Sequence, residues 1–223
     1  MPTSTPTETQ AYFEKEAMDF NAAYSGEPNQ IQDWIRRLSY WYNKKPIAGR
    51  LNALLDLVGE AKGKQILEVG CGPGFYSIQL AQRGAQVTAL DYAVAMVEAA
   101  TRNAQRAGVL IDFQHGDILA LPESKTFDCV FATGVAEYIA PAALPGFLQK
   151  LAKLSRKNVI VSFPKKGILH AWVRSFWLSY FKRVRVQFFD NAAIANLAKQ
   201  AKLQEIDRRD VGILWVVKFQ KQG

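Results

Sequence analysis

A short glycine-rich segment places the strongest constraint on this chain. Residues 66–74 read Ile-Leu-Glu-Val-Gly-Cys-Gly-Pro-Gly, so an apolar run leads into three glycines at alternate positions, and residues 75–82 continue with a helical pattern. This order predicts a buried parallel strand, a tight turn and the start of a helix. Because glycine lets another group approach the backbone closely, the segment predicts a ligand-binding loop. A tight turn that needs glycine only for steric reasons is the alternative.

Acidic residues after the next two apolar runs favour the ligand-binding interpretation. Asp91 ends the second run and Asp117 follows the third. In a parallel sheet both would lie at the carboxyl edge, where an acid can accept hydrogen bonds from both hydroxyls of a ribose. A dinucleotide-binding fingerprint would require glycine at the position of Phe75. The spacing is instead E-x-G-x-G-x-G, beginning at Glu68.

These motifs together resemble the class I S-adenosylmethionine-dependent methyltransferases. The resemblance covers residues 63–163 and resumes from Phe188 to the end. It rests on Glu68 with the glycine loop, Asp91, the segment His115–Ile118 and the segment Phe127–Ala132. It implies an α/β fold: a doubly wound, mostly parallel seven-stranded sheet of Rossmann-like type, to which the residue pattern adds N-terminal helices and an inserted lid helix. It also implies S-adenosyl-L-methionine as the cofactor.

The resemblance implies roles for individual residues. Gly70 and Gly72 would let the backbone approach the methionine part of the cofactor, with Glu68 oriented towards its ammonium group. Asp91 would bind the ribose hydroxyls, and Asp117 would accept from the adenine amino group.

Further residues would complete the cofactor site. The Ile118 backbone would contact the adenine ring, and Met96 would lie against its face, unless Met96 only packs within its helix. The predicted cofactor-binding residues are Glu68, Gly70, Cys71, Gly72, Gly74, Asp91, Tyr92, Met96, Gly116, Asp117, Ile118 and Thr133.

Hydrophobic periodicity predicts alternating strands and helices. The predicted strands are residues 65–69, 86–91, 110–114, 129–133, 159–163, 203–209 and 213–219. The predicted helices are residues 11–23, 29–42, 47–58, 76–83, 93–107, 141–155 and 191–201. Residues 1–10 are expected to be a frayed tail. We therefore expect an N-terminal tail and helical cover over residues 1–60 and one methyltransferase domain over residues 61–223.

Residues 165–187 form a longer connection than the bare fold needs, so they are predicted to be an insertion. Within it, residues 169–181 have apolar side chains at helical spacing on one face. Loops after strand ends line the crevice of an open α/β sheet, so this segment is expected to be a lid over the methyl acceptor. The candidate acceptor contacts are Trp172, Phe176 and Trp177.

Charge is unevenly distributed along the chain. The net charge is +8, and residues 138–189 contain ten Lys and Arg residues but no Asp or Glu. The simplest interpretation is a solvated basic face, and the alternatives are an anionic membrane surface, an acidic small substrate or nucleic acid. The segment 132–138, Ala-Thr-Gly-Val-Ala-Glu-Tyr, lacks the Asn/Asp-Pro-Pro-aromatic motif of DNA amino-methyltransferases. This argues against base methylation and makes nucleic acid a less favoured partner, with RNA kept as an alternative.

The chemistry implied by the resemblance requires few side chains. A sulfonium methyl group is already electrophilic, so transfer needs mainly an in-line nucleophile and the exclusion of water. A general base matters when the acceptor is poorly ionised, and the candidates are His170, Glu137 and Tyr138. Glu137 and Tyr138 could instead simply start a helix. His115 is the other histidine, and it is more simply explained as support for the adenine loop.

The sequence therefore predicts a cytoplasmic methyltransferase that acts on a small hydrophobic or amphipathic acceptor at oxygen. Cys71 and Cys129 are far apart, which indicates neither a disulfide framework nor a metal site. Tyr12, Phe13 and the region of Tyr138 are loosely similar to magnesium-protoporphyrin O-methyltransferases. The alternatives are an RNA-directed methyltransferase and a non-catalytic, cofactor-binding or membrane-associated scaffold. The oligomeric state remains open.

Overall fold

A computed structural model describes residues 6–25, 47–167 and 186–222. Its strands are β1 Gln65–Val69, β2 Gln86–Asp91, β3 Asp112–His115, β4 Phe127–Ala132, β5 Ser155–Pro164, β6 Leu203–Asp210 and β7 Leu214–Lys221. Its helices are α1 Pro6–Ser25, α2 at residues 47–58, α3 Phe75–Ala81, α4 Val94–Arg106, α5 Leu144–Leu154 and α6 Asn191–Gln200. Short 3-10 turns occupy Ile118–Ala120 and Ala136–Tyr138.

The strands form one sheet in the order β3-β2-β1-β4-β5-β7-β6. Strands β1 to β5 pair in parallel, whereas β7 pairs antiparallel with both β5 and β6. The predicted doubly wound, mostly parallel seven-stranded sheet is therefore confirmed, and its single antiparallel strand, β7, belongs to the final hairpin.

Each face of the sheet is covered by its own apolar cluster. One cluster joins α2 and α3 to the sheet through side chains such as Leu54, Leu80 and Phe131. The other joins α5 and α6 to the opposite face through side chains such as Leu148, Ile194 and Val161. Strands covered on both faces are apolar along their length, which explains why the central strands were easy to predict.

Five predicted strands differ from the observed bounds by one to four residues, and β3 and β5 show the physical reasons. β3 begins at Asp112 instead of residue 110, because Leu110 lies in the preceding loop and is 96% exposed. β5 begins at Ser155, directly after α5, so it starts four residues before the apolar run. Of the polar residues at its start, Ser155 is buried, whereas Arg156 and Lys157 are exposed. Arg156 donates to Asp128 and to Gln65.

The expected frayed tail over residues 1–10 is also wrong in part, because α1 begins at Pro6. Proline suits the first turn of a helix, where its missing N–H is not needed. The α1 helix continues to Ser25, and Gln10 contributes a contact to the loop after β2. The predicted helix at residues 29–42 lies outside the described residues.

The basic residues of the segment 138–189 that the structure describes pair mainly with acids from other parts of the chain. Lys153 contacts Glu123, Arg156 contacts Asp128, and Lys165 contacts Asp210 at 3.1, 3.3 and 2.5 Å respectively. These pairs favour the simplest interpretation for this part of the basic face. Over the described ranges, no helix is long and apolar enough to cross a membrane.

Candidate functional site

The strand order reverses between β1 and β4, and this reversal places the site. From β1 the chain builds the sheet outward through β2 to β3, and from β4 it builds in the other direction. The loops after adjacent strands therefore diverge at the carboxyl edge and leave a crevice, which is where open α/β sheets bind ligands. The loops that meet there carry the glycine segment, Asp91, Asp117 and Glu137.

Asp91 fixes the glycine loop to the end of β2. Its Oδ2 accepts from the Gly72 N–H at 2.7 Å, and its Oδ1 accepts from the Ala93 N–H at 3.0 Å. The N–H groups of Gly70 and Cys71 both donate to the Leu90 carbonyl, at 2.8 and 3.1 Å. Burial is the main cause that raises the pKa of the Asp91 carboxyl above its ordinary value, and its backbone hydrogen bonds oppose that rise.

The three glycines of the loop serve different purposes. A Cβ on Gly70 would collide with the Val135 side chain, and a Cβ on Gly74 would lie 3.0 Å from the Ala100 Cβ. A Cβ on Gly72 would meet no protein atom within 4 Å, and Gly72 has a φ of +50°. Gly70 and Gly74 are therefore small because protein packs against them, whereas the space beside Gly72 is open to a ligand.

Replacing Gly72 with alanine is expected to weaken cofactor binding more than it destabilises the fold. The matched control is Gly108→Ala, because Gly108 has a similar φ of +65°, an equally open Cβ direction and a place away from the crevice. Both variants carry the same backbone strain, of about 1 kcal/mol. Calorimetric titration and thermal unfolding of both should show equal losses of stability but lost cofactor affinity only for Gly72→Ala. Equal cofactor affinities of Gly72→Ala and Gly108→Ala would mean that the cofactor does not occupy the space beside Gly72.

Glu68 lies at the end of β1 and is completely buried. The Ser77 hydroxyl of α3 donates to its Oε2, while Oε1 has no hydrogen-bond partner among the described residues. Burial raises the pKa of the Glu68 carboxyl to about 8, and the hydrogen bond from Ser77 opposes this rise. Cys71, also predicted for this site, is buried, and burial raises the pKa of its thiol well above the ordinary range.

The residues predicted to contact adenine lie on the loops after β2 and β3. The Gly116 N–H donates to the Asp91 carbonyl at 3.0 Å, and Asp117 is exposed and accepts from the Leu119 N–H at 2.9 Å. His115 is exposed in register with Asp91 on the adjacent strand, Tyr92 is 44% exposed, and Ile118 is buried.

Met96 lies in the first turn of α4, is 2% exposed and packs with Ala93, which precedes that helix, and with Ala17 of α1. This packing gives Met96 a structural partner, so contact with an adenine ring remains a prediction.

Sequence reasoning missed that α1 docks on the loop after β2. The Glu14 carboxylate accepts from the Val94 N–H at 2.7 Å and from the Ala95 N–H at 2.9 Å, so it caps the N-terminus of α4 from another helix. Gln10 donates to the Tyr92 carbonyl at 3.1 Å. No local spacing signals such a contact, because the partners are about 80 residues apart.

Replacing Glu14 with glutamine is expected to loosen α1 from the start of α4. Glutamine has one acceptor oxygen and an amide nitrogen that only donates, so the variant keeps at most one of the two hydrogen bonds and loses the negative charge that a helix N-terminus prefers. Amide hydrogen exchange of Val94 and Ala95 should accelerate, while Glu98→Gln, an exposed change on the same helix, should leave both amides unchanged. Unaltered protection in Glu14→Gln would show that α1 is held by its apolar contacts alone.

The loop after β4 forms the other wall of the crevice. The Gly134 N–H donates to the Ser162 hydroxyl at 2.8 Å, and Thr133 is buried. Glu137 is 1% exposed, and its carbonyl accepts from the Gln187 N–H at 2.9 Å, where the chain returns from the insertion. The chain therefore re-enters the described structure beside this wall.

Aromatic side chains of α1 extend to the same wall. The Phe13 and Tyr138 rings meet edge to face with their centroids 5.1 Å apart, and the Tyr12 ring lies 5.1 Å from that of Phe13. Such geometry is favourable for aromatic pairs. Because α1 also contacts the loop after β2, it bridges the two walls of the crevice.

Arg50 is a second residue that sequence reasoning missed. It is 8% exposed on α2, and its Nη1 would lie only 2.9 Å from a Cβ placed on Gly134. This puts a guanidinium group at the carboxyl end of β4, facing the crevice loops. An arginine in an amphipathic helix usually indicates a solvated face, so its burial could not be predicted from the sequence.

Four predicted site residues fall outside the described residues: His170, Trp172, Phe176 and Trp177. Within the ranges that the structure describes, no three His, Cys, Asp or Glu side chains are grouped so as to hold a metal ion.

Comparison with known proteins identifies the family. Residues 66–158 match the model of a methyltransferase domain. The ubiquinone biosynthesis O-methyltransferase of Ruegeria pomeroyi is 30% identical over 179 residues, which cover 75% of this chain and 71% of that protein. The chain belongs to the class I S-adenosylmethionine-dependent methyltransferases. It is thus a methyltransferase, and its cofactor is S-adenosylmethionine.

Other relatives of this methyltransferase differ in how much they match. The ubiquinone biosynthesis O-methyltransferase of Methylocella silvestris is 41% identical over 96 residues, but these cover only 43% of this chain and 37% of that protein. The crystal structure of magnesium protoporphyrin IX methyltransferase from Synechocystis PCC 6803 with bound SAH has a TM-score of 0.76 at 20% identity. This structural match covers 98% of this chain and 100% of the Synechocystis chain. At that identity the structural match supports the fold alone.

Proposed function

We propose that this enzyme transfers the methyl group of S-adenosylmethionine to an oxygen atom of a small hydrophobic or amphipathic acceptor. The observation that carries this proposal is the aromatic wall at the crevice, where Phe13 of α1 meets Tyr138 of the loop after β4. A wall of aromatic rings suits a planar apolar acceptor, since ring contacts add to the gain from burying its surface.

The described residues fit the cofactor. The open space beside Gly72 admits a ligand close to the backbone, and the unpartnered Oε1 of Glu68 suits a nearby positive charge. Asp91 uses each carboxylate oxygen once for a backbone N–H and keeps further acceptor capacity for ribose hydroxyls. The Arg50 guanidinium beside Gly134 is a suitable partner for the cofactor's carboxylate. Asp117 and the Ile118 backbone remain the proposed contacts to adenine.

When bound, S-adenosylmethionine supplies an electrophilic methyl group on a sulfonium. The protein's contribution is to hold the acceptor oxygen in line with that methyl group, about 3 Å away, and to exclude water. Because α1 bridges both walls of the crevice, it is suited to excluding water. The insertion, which returns beside Glu137 at Gln187, would cover the acceptor from the other side.

Two residues of the acceptor wall have distinct proposed roles. A tyrosine hydroxyl is protonated at neutral pH, so Tyr138 would donate a hydrogen bond that orients the acceptor oxygen. A carboxylate accepts protons, so Glu137, buried in the same turn, would take the proton of a hydroxyl acceptor as its oxygen attacks. His170 remains a proposed alternative base.

Two of the relatives support an oxygen acceptor by their names. The similar proteins of Ruegeria and Methylocella are named as O-methyltransferases of ubiquinone biosynthesis, and the similar fold from Synechocystis is named as a magnesium protoporphyrin IX methyltransferase. All three act on small molecules by name. Quinol-like phenols and carboxylic acids are therefore the first acceptor classes to compare.

The test is a transfer assay with methyl-labelled cofactor and a matched acceptor panel. The panel contains an alkylated catechol, the same catechol with both hydroxyls already methylated, a porphyrin carboxylic acid, an aromatic amine and total RNA. We expect label in the free catechol or the porphyrin acid and none in the blocked catechol. Label only in the amine or in RNA would contradict the proposal.

Replacing Phe13 with leucine tests the aromatic wall. The variant keeps an apolar side chain but loses the edge-to-face contact, which is worth about 0.5–1.5 kcal/mol. We expect KM for the acceptor to rise several-fold, with the affinity for cofactor product nearly unchanged. Tyr12→Leu is the control, because its ring contacts Phe13 from within the same helix. A change confined to cofactor affinity would instead assign Phe13 to the cofactor cover.

A further inference from the structure

The Glu68 carboxylate is a buried acid with an incomplete set of partners. It is 0% exposed, Ser77 satisfies one of its oxygens, and the other has no hydrogen bond. The residues in register with it on the flanking strands are Ala89 and Phe131, which offer no polar side chain. A carboxyl group in such surroundings is costly to ionise unless a positive charge is nearby.

Among the residues that the structure describes, the titratable groups that face Glu68 do not supply that charge. Asp91, from the end of β2, acts on Glu68 as a like charge and raises its pKa. Cys71, from the glycine loop, is a thiol whose own pKa is raised by burial. The contact from α3 is the neutral Ser77 hydroxyl. Burial is the largest cause that raises the pKa of Glu68, Ser77 opposes the rise and Asp91 adds to it, so that the pKa reaches about 8 and the group is mainly protonated at neutral pH.

We propose that binding of the cofactor at the glycine loop releases one proton from Glu68 to solvent, so that cofactor affinity increases with pH. This inference rests on the proposed placement of the cofactor's ammonium group on the Glu68 side of the loop. The O–H bond of the Glu68 carboxylic acid breaks, its proton passes to water or buffer, and the carboxylate that remains neutralises the ammonium. In a medium of low dielectric constant, that pairing favours the ionised form strongly.

The pH range of the test follows from the ligand. An α-amino group has a pKa of about 7.7–8.0, so between pH 6 and 7 the ligand arrives with its ammonium already charged. A proton released in this range must therefore come from the protein. S-Adenosylhomocysteine is the suitable probe, because it carries the same ammonium and carboxylate and is not consumed.

The experiment is isothermal titration of the full-length protein with S-adenosylhomocysteine, in buffers that differ in ionisation enthalpy. At pH 6.5 we expect release of about one proton for each ligand bound, and an association constant that rises about tenfold from pH 6 to pH 7. In Glu68→Gln, which keeps an acceptor for Ser77 but cannot ionise, both the proton release and the pH dependence should disappear.

Ser77→Ala keeps the proposal testable if Glu68→Gln fails to fold or to bind. It removes the hydrogen bond that favours the ionised form, so the range of pH over which affinity rises should move upward. A wild-type titration with tight binding but no proton release would overturn this inference alone. A Ser77→Ala profile that superimposes on the wild-type profile would also overturn it. Absence of any binding to the wild-type protein would overturn the proposed site as well.

Discussion

Replacing Asp91 with alanine is expected to lower the affinity for S-adenosylmethionine at least a hundredfold. The carboxylate holds the N–H groups of Gly72 and Ala93 and is the proposed acceptor for the ribose hydroxyls. A hydrogen bond to a charged group contributes about 1.5–3 kcal/mol, so the loss of two such bonds to the ribose corresponds to about 10²–10⁴ in affinity. Calorimetric titration of the purified variant measures this loss directly.

Asp112→Ala is the matched control for Asp91→Ala. Asp112 stands at the opposite end of the adjacent strand, where it bonds to Thr88, Gln114 and Lys125 and is exposed. We expect this variant to bind the cofactor as the wild-type protein does. Equal affinities for Asp91→Ala and the wild-type protein would contradict the assignment of the ribose site to the end of β2.

The second large effect concerns the pH dependence of stability. The pKa of Glu68 is raised in the folded state from an ordinary value of 4.5 to about 8. A carboxyl group whose pKa is raised in the folded state contributes its full stabilisation at pH values below its pKa in the unfolded state. This contribution is lost as the pH rises towards its pKa in the folded state. Relative to Glu68→Gln, the wild-type protein should therefore lose stability between pH 5 and 8, by up to about 1.4 kcal/mol for each pH unit.

Denaturant unfolding of both proteins across this range measures the difference. The control is Asp128→Asn, because the backbone N–H of Gln65 lowers the pKa of Asp128. The stabilising contribution of Asp128 is present above its ordinary pKa and is lost only as the pH falls. The difference in free energy of unfolding between Asp128→Asn and the wild-type protein should therefore stay constant between pH 5 and 8. A constant difference for Glu68→Gln as well would show that Glu68 is ionised in the free protein.

The sequence predicted the elements that are determined by local patterns. β1 and β2 were predicted at their observed bounds, because both are apolar runs closed by polar or glycine residues. β3 was predicted to start too early, because Leu110 is apolar but exposed. β5 was predicted to start too late, because polar residues such as Arg156 at its start have a pattern typical of a loop. Hydrophobicity reports burial only on average, and single exposed apolar residues are common.

The residues of the candidate site also divide into those that local patterns predict and those that they do not. Glu68, Gly72 and Asp91 were predicted because their spacing along two neighbouring strands carries the information. Glu14 and Arg50 were not, because their places depend on how α1 and α2 pack on the sheet. A carboxylate that caps a distant helix and an arginine buried beside a loop have no local signature, so only the three-dimensional structure identifies them.

The location of the transferred methyl group tests the central claim most directly. The full-length protein is incubated with cofactor carrying a ¹³C-methyl group and with the acceptor that the labelling panel selects, and the product is examined by NMR. We predict a single new methyl resonance bonded to oxygen on the small molecule, with one S-adenosylhomocysteine formed for each methyl transferred. A methyl group bonded to nitrogen or carbon, or cofactor that is bound but never consumed with any acceptor, would contradict the account.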